Sequence, residues 1–322
     1  MQNRPLTCGV CRKPADFALL EQFGEYSLWE CPLCAVRFWH PMKNPGAEWY
    51  EKDERYSFRN LNPRKKPERN HREFLRDLPA RDGKLLDVGM GTGNFLAAAE
   101  KRGYEGYGID FDRDAIEAAK SFFGLKNVFP ADINGAINKF GKGFFDAVTM
   151  FEVLEHLEKP AEFVEKIKIL LKKDGWLALS VPYRGAPEFL KPHDLPPRHL
   201  TRWDEKSLKN FLESRGFAVR RAKVIPASLG YLIAKFHFWT AGIFSFNLVS
   251  KALEREGGGK SRAGAGVSGK ESPKMKTLRL LAKAKDWALF FLPALFLRLY
   301  LRLAGRGGLG IYVLARRAQT ID

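Results

Sequence analysis

Apolar and polar positions alternate between two patterns along residues 81–225. Short apolar runs of strand length are each followed by a longer segment with the spacing of an amphipathic helix. The runs lie in LLDVG, YEGYGID, VFPADI, Phe144 to Met150, WLALSVP and FAVRRAKV, and a last one is GLGIYVLARRAQ. Strands that alternate with helices form a parallel sheet covered on both faces, so the pattern predicts an α/β fold.

A glycine-rich loop follows the first of these strands. The strand ends in Asp87, and Gly89, Gly91 and Gly93 come next at alternate positions, before the helix-forming segment NFLAAAEKRG. Glycine lets the backbone turn sharply and lets a ligand come close to it. The second strand ends in Asp110, and an acid at this place can bind the two hydroxyls of a ribose. The loop therefore predicts a cofactor that contains a nucleoside.

The spacing of the glycines distinguishes between cofactors. The dinucleotide fingerprint GxGxxG would need a third glycine where Asn94 or Leu96 stands. The loop reads DxGxGxG instead and resembles motif I of the class I S-adenosylmethionine (SAM)-dependent methyltransferases. The later strands and acids follow in the order of that family over about 67–224. The resemblance implies SAM as the cofactor and a Rossmann-like seven-stranded sheet with helices on both faces.

The resemblance also implies roles for particular residues. The glycines from Gly89 to Gly93 would pack against the methionine part of SAM, and Asp87 would hold the loop and the amino group of SAM. Asp110 would bind the ribose, and Asp132 with Ile133 would flank the adenine, although Asp132 could also be a solvated acid at a strand end. Two further predicted cofactor contacts are Phe111 and Phe151.

All four cysteines fall in two C-x2-C pairs, with nineteen residues between the pairs. They are Cys8, Cys11, Cys31 and Cys34. This spacing is typical of a zinc ribbon, in which four thiolates complete a structural tetrahedral site. Redox dithiols or unligated thiols are the alternative. The ribbon could dock a substrate or stabilise the fold.

Candidate catalytic groups lie in two segments. In FEVLEHL, Glu152, Glu155 and His156 stand at i, i+3 and i+4, so the sequence predicts that they share one helical face. The second segment follows the fifth strand and holds His193, Asp194, Arg198 and His199. We expect His156, His199 or Glu152 to act as a general base for an oxygen or nitrogen acceptor.

The pattern ExxEH with a later histidine resembles two methyltransferase subfamilies that bind a divalent metal near a hydroxyl acceptor. One methylates ubiquinone precursors on oxygen, and the other modifies the 3′ end of small RNA. The same residues also occur in class I methyltransferases without a metal, where they cap helices or form hydrogen bonds. A second divalent metal is therefore one hypothesis for this site.

A long insertion precedes the last predicted strand. The family places this strand antiparallel and beside the sixth one, after a short hairpin, but here about eighty residues separate Val224 from Gly308. Residues 226–306 carry fourteen Lys and Arg against four Asp and Glu. They include apolar stretches at 228–249 and 287–303 around a glycine-rich linker. Apolar residues interleaved with cations suit helices in a membrane interface, while a lid over the substrate pocket or a dimer face is the alternative. The uninterrupted apolar run is too short to span a bilayer.

Charge and composition set the wider expectations. The formal net charge of +17 favours an anionic partner, either nucleic acid or a membrane surface. The N-terminus has no apolar signal core, which predicts a cytoplasmic protein. The basic and apolar insertion adds the hypothesis of peripheral contact at the inner membrane face. The predicted organisation is a zinc-ribbon-like segment (1–45), a linker and leading helix (46–80), a SAM-binding core (81–225), a basic and apolar helical insertion (226–306) and the final strand (307–322).

Three functions remain open. The first is a SAM-dependent methyltransferase that acts at a membrane surface on a hydroxyl, amine or carbon of a lipid-like, quinone-precursor or glycan intermediate. The second is an RNA methyltransferase that uses the ribbon and the positive charge to bind phosphates. The third is a non-catalytic scaffold with the methyltransferase fold. The interleaving of charge with aliphatic residues favours the first, and the intact glycine loop with Asp110 argues against the third.

Overall fold

The structure is a computed structural model that describes residues 4–46, 54–77, 82–190, 194–240 and 273–318, without the side chains at 54–57, 273–280, 282 and 283. Its strands are β1 (Ala18–Phe23), β2 (Tyr26–Glu30), β3 (Arg37–His40), β4 (Gly83–Val88), β5 (Tyr104–Asp110), β6 (Val128–Pro130), β7 (Phe145–Phe151), β8 (Leu171–Pro182), β9 (Thr201–Arg202), β10 (Phe217–Pro226) and β11 (Gly308–Arg317). Its α-helices are α1 (Glu54–Leu61), α2 (Arg69–Asp77), α3 (Asn94–Glu100), α4 (Arg113–Phe123), α5 (Ile133–Phe140), α6 (Pro160–Leu170), α7 (Glu205–Glu213), α8 (Leu229–Thr240) and α9 (Pro273–Leu303). The chain divides into two compact units, Met1–Ile225 with Gly308–Asp322, and Pro226–Gly307.

The larger unit is built on a seven-stranded sheet with the strand order β10-β11-β8-β7-β4-β5-β6. The neighbours β8 and β7, β7 and β4, β4 and β5, and β5 and β6 are parallel, while β11 is antiparallel to β8. The last strand therefore lies beside β10, as predicted, although the insertion separates the two in sequence. The predicted α/β fold with seven strands and a helical insertion before the last strand is confirmed.

Alternate residues of the central strands enter two different hydrophobic cores. On β4, Leu86 joins the core that contains α6 and α7, whereas Leu85 joins the core that contains α2, α3 and α4. On β11, Val313 and Tyr312 divide in the same way. Side chains of a strand point alternately to opposite faces, so continuous apolar runs are what a sheet covered on both sides requires. The sheet thus holds the carboxyl ends of β4, β5 and β7 at one fixed edge.

The cysteine segment forms a second, four-stranded sheet with the order β1-β2-β3-β9. Its last strand is only two residues long and comes from the segment after β8, not from the N-terminus. Phe17 and Phe38 of this segment belong to the same buried core as Trp203 and Phe211. The ribbon-like segment therefore shares a hydrophobic core with the rest of the larger unit.

The smaller unit contains the helix pair α8 and α9. The rings of Phe236 and Phe290 stack with centroids 6.2 Å apart, and His237 Nδ1 lies 3.0 Å from Asp286 Oδ1. Helix α9 begins at Pro273, well before the predicted apolar stretch at 287–303. Residues 241–249 of the other stretch and the glycine-rich linker lie outside the described residues. No helix in the described part of the chain combines the length and apolar character that a membrane crossing needs.

Candidate functional site

The glycine loop turns sharply at the end of β4. Gly89 and Gly93 have φ angles of +69° and +79°, in the left-handed region that favours glycine. A Cβ atom on Gly93 would lie 2.5 Å from Leu125 Cδ1, and one on Gly89 would lie 2.7 Å from Val153 Cγ2. The N–H of Gly89 also donates to the carbonyl oxygen of Ile109 at 2.9 Å. The loop therefore needs glycine both for its conformation and for its close contact with the segment that follows β7.

Two predicted acids meet at this loop. Asp110 Oδ2 accepts a hydrogen bond from the N–H of Gly91 at 2.8 Å, and its Oδ1 accepts one from the N–H of Asp112 at 3.0 Å. Asp87 is buried, and Thr149 Oγ1 donates to its Oδ1 at 2.6 Å. Burial raises the pKa of both carboxyl groups, and that of Asp87 reaches about 7. The glycine loop and the strand ends beside it thus form a crevice that contains both acids.

The other predicted cofactor residues lie at neighbouring strand ends. Asp132 begins α5 as its N-cap and accepts the N–H of Gly135 at 2.7 Å, while Ile133 is buried. Phe111 is about half exposed, directly after β5. Phe151 is buried at the end of β7. Asp132 therefore has a capping role in this structure, and its contact with adenine stays a prediction.

The leading helices add groups that sequence reasoning did not single out. The guanidinium carbon of Arg59 on α1 lies 3.6 Å from the position of a Cβ on Gly91, and its charge lowers the pKa of Asp110 against the larger effect of burial. The ring of His71 on α2 packs against Phe151 with centroids 4.8 Å apart. Burial lowers the pKa of His71 to about 3, so this imidazole is neutral. The sequence predicts a leading helix within 46–80 but not these two side chains, because their partners are distant in sequence.

The predicted helical face of Glu152, Glu155 and His156 is wrong. Glu152 has a φ of +55°, a single 3-10 turn covers Leu154–His156, and α6 begins only at Pro160. A non-glycine residue in this region is strained and is held by its surroundings. Here Glu152 N–H donates to the carbonyl oxygen of Ser180 at 2.9 Å, which ties the turn to β8.

Glu152 instead belongs to a series of side-chain hydrogen bonds that links α2, β8 and the turn after β7. Asn70 Nδ2 on α2 donates to Ser180 Oγ at 2.8 Å, and Ser180 Oγ donates to Glu152 Oε1 at 2.7 Å. Glu152 is an exposed residue, but desolvation by the protein around its carboxyl raises the pKa of that group to about 7. A carboxyl with such a pKa exchanges a proton near neutral pH.

Three other side chains form the acceptor cluster, which we define as Glu155, His156 and His199. One potential ligand atom from each lies within 4.8 Å of the other two. The imidazole centroids of His156 and His199 are 4.7 Å apart. The cluster thus joins residues from the loops after β7 and β8, whereas His193 lies outside the described residues.

Hydrogen bonds fix the state of both imidazoles in the acceptor cluster. His156 Nδ1 lies 2.7 Å from the carbonyl oxygen of Arg198, which only accepts, so Nδ1 carries the proton. Burial lowers the pKa of His156 to about 3, which leaves a lone pair on Nε2. His199 Nδ1 lies 2.9 Å from Asp194 Oδ1, and the same tautomer follows if that carboxyl is ionised. Histidines that ligate metals are commonly oriented in this way by a carbonyl or a carboxylate.

Glu155 is the least solvated member of the acceptor cluster. The residue is fully buried, and its two carboxylate oxygens have no hydrogen-bond partner among the residues that the structure describes. Desolvation holds its pKa well above the usual range. A buried carboxyl without donors beside two imidazole nitrogens fits a divalent cation, because a cation would compensate the buried charge.

The four cysteine sulphurs lie close together in the ribbon. Cys8 Sγ lies 3.7 Å from Cys34 Sγ, and Cys11 Sγ lies 3.8 Å from Cys31 Sγ. A tetrahedral zinc with bonds of about 2.3 Å places its sulphurs about 3.8 Å apart, so the geometry fits zinc. None of the four forms a disulfide. The four cysteines form a candidate structural zinc site.

Comparison with known families shows to which class of protein the chain belongs. Residues 59–222, about half of the chain, match the family described as a methyltransferase domain. The chain belongs to this methyltransferase family. The match covers the glycine loop, the strand-end acids and the acceptor cluster, and it supports SAM as the cofactor.

Curated relatives of this methyltransferase share part of their length with it. It is 30% identical over 149 residues to a ubiquinone biosynthesis O-methyltransferase of Chromobacterium violaceum, which covers 44% of this chain and 61% of the relative. It is also 30% identical over 116 residues to the enzyme of the same name from Paracidovorax citrulli, with 35% and 49% covered. The chain thus spans about half to three fifths of the length of these relatives.

Solved structures agree on the fold of the methyltransferase. A chain in the complex between the Haloferax volcanii Trm112 methyltransferase activator and a methyltransferase superposes with a TM-score of 0.50 at 15% identity, covering 85% of this chain and 96% of that one. At this level of identity the likeness concerns the fold alone. The family and the fold predicted from the glycine loop are both confirmed.

Proposed function

We propose that this methyltransferase transfers the methyl group of SAM to a hydroxyl of a lipid-like acceptor, such as a quinone precursor, at a membrane surface. The observation that carries the proposal is the acceptor cluster at the edge of the glycine loop. Val153, two residues before Glu155, limits the space at Gly89, so the cofactor loop and the acceptor cluster adjoin. The curated relatives bear the name of O-methyltransferases, which supports oxygen as the methylated atom.

The cofactor side is assigned to the strand ends of β4, β5 and β6. Asp110 binds the ribose hydroxyls, and Asp87 holds the amino group of SAM beside Gly89, Gly91 and Gly93. Asp132, Ile133, Phe111 and Phe151 complete the predicted contacts. The hydrogen bond from Gly91 N–H to Asp110 supports this assignment, because it holds loop and acid in one arrangement before SAM arrives.

The reaction is a direct displacement at the methyl carbon. The acceptor oxygen forms a bond to that carbon while the bond from carbon to sulphur breaks, and S-adenosylhomocysteine leaves with the electron pair on sulphur. The proton of the hydroxyl passes to Glu152, whose carboxyl group is oriented by the hydrogen bond from Ser180 Oγ. Alignment of the acceptor supplies most of the rate.

The acceptor cluster fits a divalent cation beside this step. Glu155, His156 and His199 would hold it, with Asp194 and the carbonyl oxygen of Arg198 orienting the two imidazoles. When bound, such a cation lowers the pKa of a nearby hydroxyl. Calorimetry with Mn²⁺ tests this fit, because Mn²⁺ binds cysteine thiolates only weakly. We expect binding by the full chain, loss of binding in Glu155→Gln, and unchanged binding in the control Glu165→Gln, which lies on the exposed part of α6.

The smaller unit supports a membrane surface as the place of action. Leu289, Leu292, Phe296 and Leu303 recur on α9 at helical spacing and are each 60% or more exposed. This side of the helix is therefore apolar and open to solvent, and the insertion carries a large excess of Lys and Arg. Aromatic and aliphatic side chains with cations nearby suit the interface of an anionic bilayer.

One experiment tests acceptor and surface together. The full chain is incubated with methyl-labelled SAM, a bacterial lipid extract in phosphatidylglycerol vesicles, and total RNA, and the label is then partitioned. We expect labelled lipid, and flotation of the protein with anionic vesicles that is lost in Phe296→Glu and kept in the control Phe122→Glu, an exposed phenylalanine of α4. Label in RNA, with binding that falls steeply with salt, would instead establish the RNA alternative.

A further inference from the structure

The second cysteine pair leads directly into the strand that joins the ribbon to the rest of the larger unit. Cys31 N–H donates to the carbonyl oxygen of Val36 at 3.1 Å, and Ala35 N–H donates to that of Cys31 at 2.8 Å. Strand β3 starts at Arg37, three residues after Cys34. The position of β3 is therefore set by the turn that carries two of the four sulphurs.

Strand β3 is also the neighbour on which β9 depends. Arg37 pairs with Arg202 and Phe38 with Thr201, and Trp39 N–H donates to the carbonyl oxygen of Leu200 at 2.9 Å. A two-residue strand at the edge of a sheet has little stability of its own. Residues 200–202, and with them the backbone beside His199, are therefore held on one side by the ribbon.

The side chain of Arg202 reinforces this link. Its guanidinium donates to Glu21 Oε2 on β1 at 2.9 Å and to the carbonyl oxygen of Asp194 at 2.8 Å. It also lies over the ring of Trp39, 5.1 Å from the centroid. One side chain thus contacts two strands of the ribbon and the residue that orients the His199 imidazole.

We propose that zinc on the four cysteines positions His199 against His156 through the pairing of β3 with β9. The ribbon is then a positioning element of the acceptor cluster, and Arg202 is a positioning residue. The meaning of this arrangement for catalysis rests on the proposed function. The coupling itself is independent of any acceptor or turnover.

The test follows the imidazole signals of the full chain labelled with ¹⁵N-histidine, assigned with His156→Gln and His199→Gln. Cys34→Ser breaks the zinc site, and Arg202→Ala breaks the link while it leaves the cysteines intact. Arg37→Ala is the matched control, because the side chain of Arg37 pairs with Glu30 inside the ribbon, at 2.7 Å. Zinc content and SAM affinity are measured on every variant.

We expect Cys34→Ser and Arg202→Ala to shift the signals of His199 and His156, and Arg37→Ala to leave them in place. The signal of His237 should keep its position in every variant. The affinity for SAM should stay within about twofold of the wild type. The proposal is overturned if Cys34→Ser loses zinc without moving the His199 signal, or if Arg37→Ala moves it as much as Arg202→Ala. If Cys34→Ser does not fold, Arg202→Ala against Arg37→Ala decides the question. A failure to methylate lipid leaves these spectra unaffected, so the two proposals can fail separately.

Discussion

The backbone N–H of Leu200 donates a hydrogen bond to the carbonyl oxygen of Glu155, with 2.7 Å between nitrogen and oxygen. Leu200 is fully buried and follows His199, while Glu155 precedes His156. This bond therefore joins the two loops that form the acceptor cluster. The cluster is held from the ribbon side by β3 and from the core side by β7, and both supports act on the backbone.

The cofactor assignment predicts that SAM binding strengthens with pH. The pKa of Asp87 is raised to about 7, so most of these carboxyls are protonated at pH 6 and become carboxylates as the pH rises. Only the carboxylate attracts the ammonium group of SAM, which stays protonated below about pH 7.5. We expect the affinity to rise about five- to tenfold from pH 6 to pH 7.5, measured by calorimetry.

Asp87→Asn is the control for this titration. Its amide keeps the size of the side chain but does not ionise, so SAM should bind weakly and with little dependence on pH. A wild-type affinity that is constant over this range would contradict the role of Asp87. Glu152 titrates in the same range, and it is unchanged in Asp87→Asn, which separates the two groups.

The second prediction concerns Asp110. Its carboxylate accepts the N–H groups of Gly91 and Asp112, and the proposed contacts to ribose add two more charged hydrogen bonds. Hydrogen bonds to a charged group contribute about 1.5–3 kcal/mol each, so Asp110→Ala should weaken SAM binding by at least about a hundredfold. The measurement is calorimetry with SAM.

Asp114→Ala is the matched control, because Asp114 is an exposed acid in the first turn of α4. This variant should bind SAM as the wild type does. Equal affinities of Asp110→Ala and Asp114→Ala would show that the ribose is bound elsewhere.

The sequence predicts those parts of the site that short sequence motifs specify. The glycine loop follows from three residues at alternate positions, and the candidate zinc site follows from the spacing of two C-x2-C pairs. The strand-end acids follow as well, because parallel strands bring their carboxyl ends to one edge. Even the insertion was predictable, from the distance between Val224 and Gly308.

The parts that the sequence does not predict depend on distant partners. Glu152 leaves the helical conformation because its backbone and side chain both bond to Ser180 on β8, and no periodicity encodes that contact. The two residues of β9 are too short for a strand pattern, and only β3 makes them one. Tertiary contacts therefore override local spacing where the acceptor cluster is built.

The third prediction is a loss of stability in mild acid that depends on His71. Folding lowers the pKa of this histidine from 6.5 to about 3, so below pH 6.5 the unfolded chain binds more protons than the folded one. The stability contribution is complete above about pH 6.5 and decreases as the pH falls towards 3. We expect His71 to account for about 1–2 kcal/mol of the free energy of unfolding lost between pH 7 and pH 5.

Urea unfolding of His71→Gln at pH 5, 6 and 7 measures this share. The variant is less stable at pH 7, because it loses the packing of the ring against Phe95 and Phe151. Its free energy of unfolding should nevertheless fall less steeply with acid than that of the wild type. Parallel slopes for the two proteins would mean that the imidazole is charged in the folded state.

The last prediction compares two glycines that have similar backbones but different surroundings. Gly93 and Gly124 have φ angles of +79° and +70°, so an alanine at either place has the same left-handed strain, about 1–2 kcal/mol. A Cβ on Gly124 meets nothing within 4 Å, whereas one on Gly93 meets Leu125 and Ala119, both buried. Overpacking adds about 1–3 kcal/mol, so Gly93→Ala should unfold at clearly lower urea than Gly124→Ala and should also bind SAM more weakly. Equal destabilisation would show that the loop yields to the methyl group, and that Gly93 serves the turn but not the packing of α3 against its neighbours.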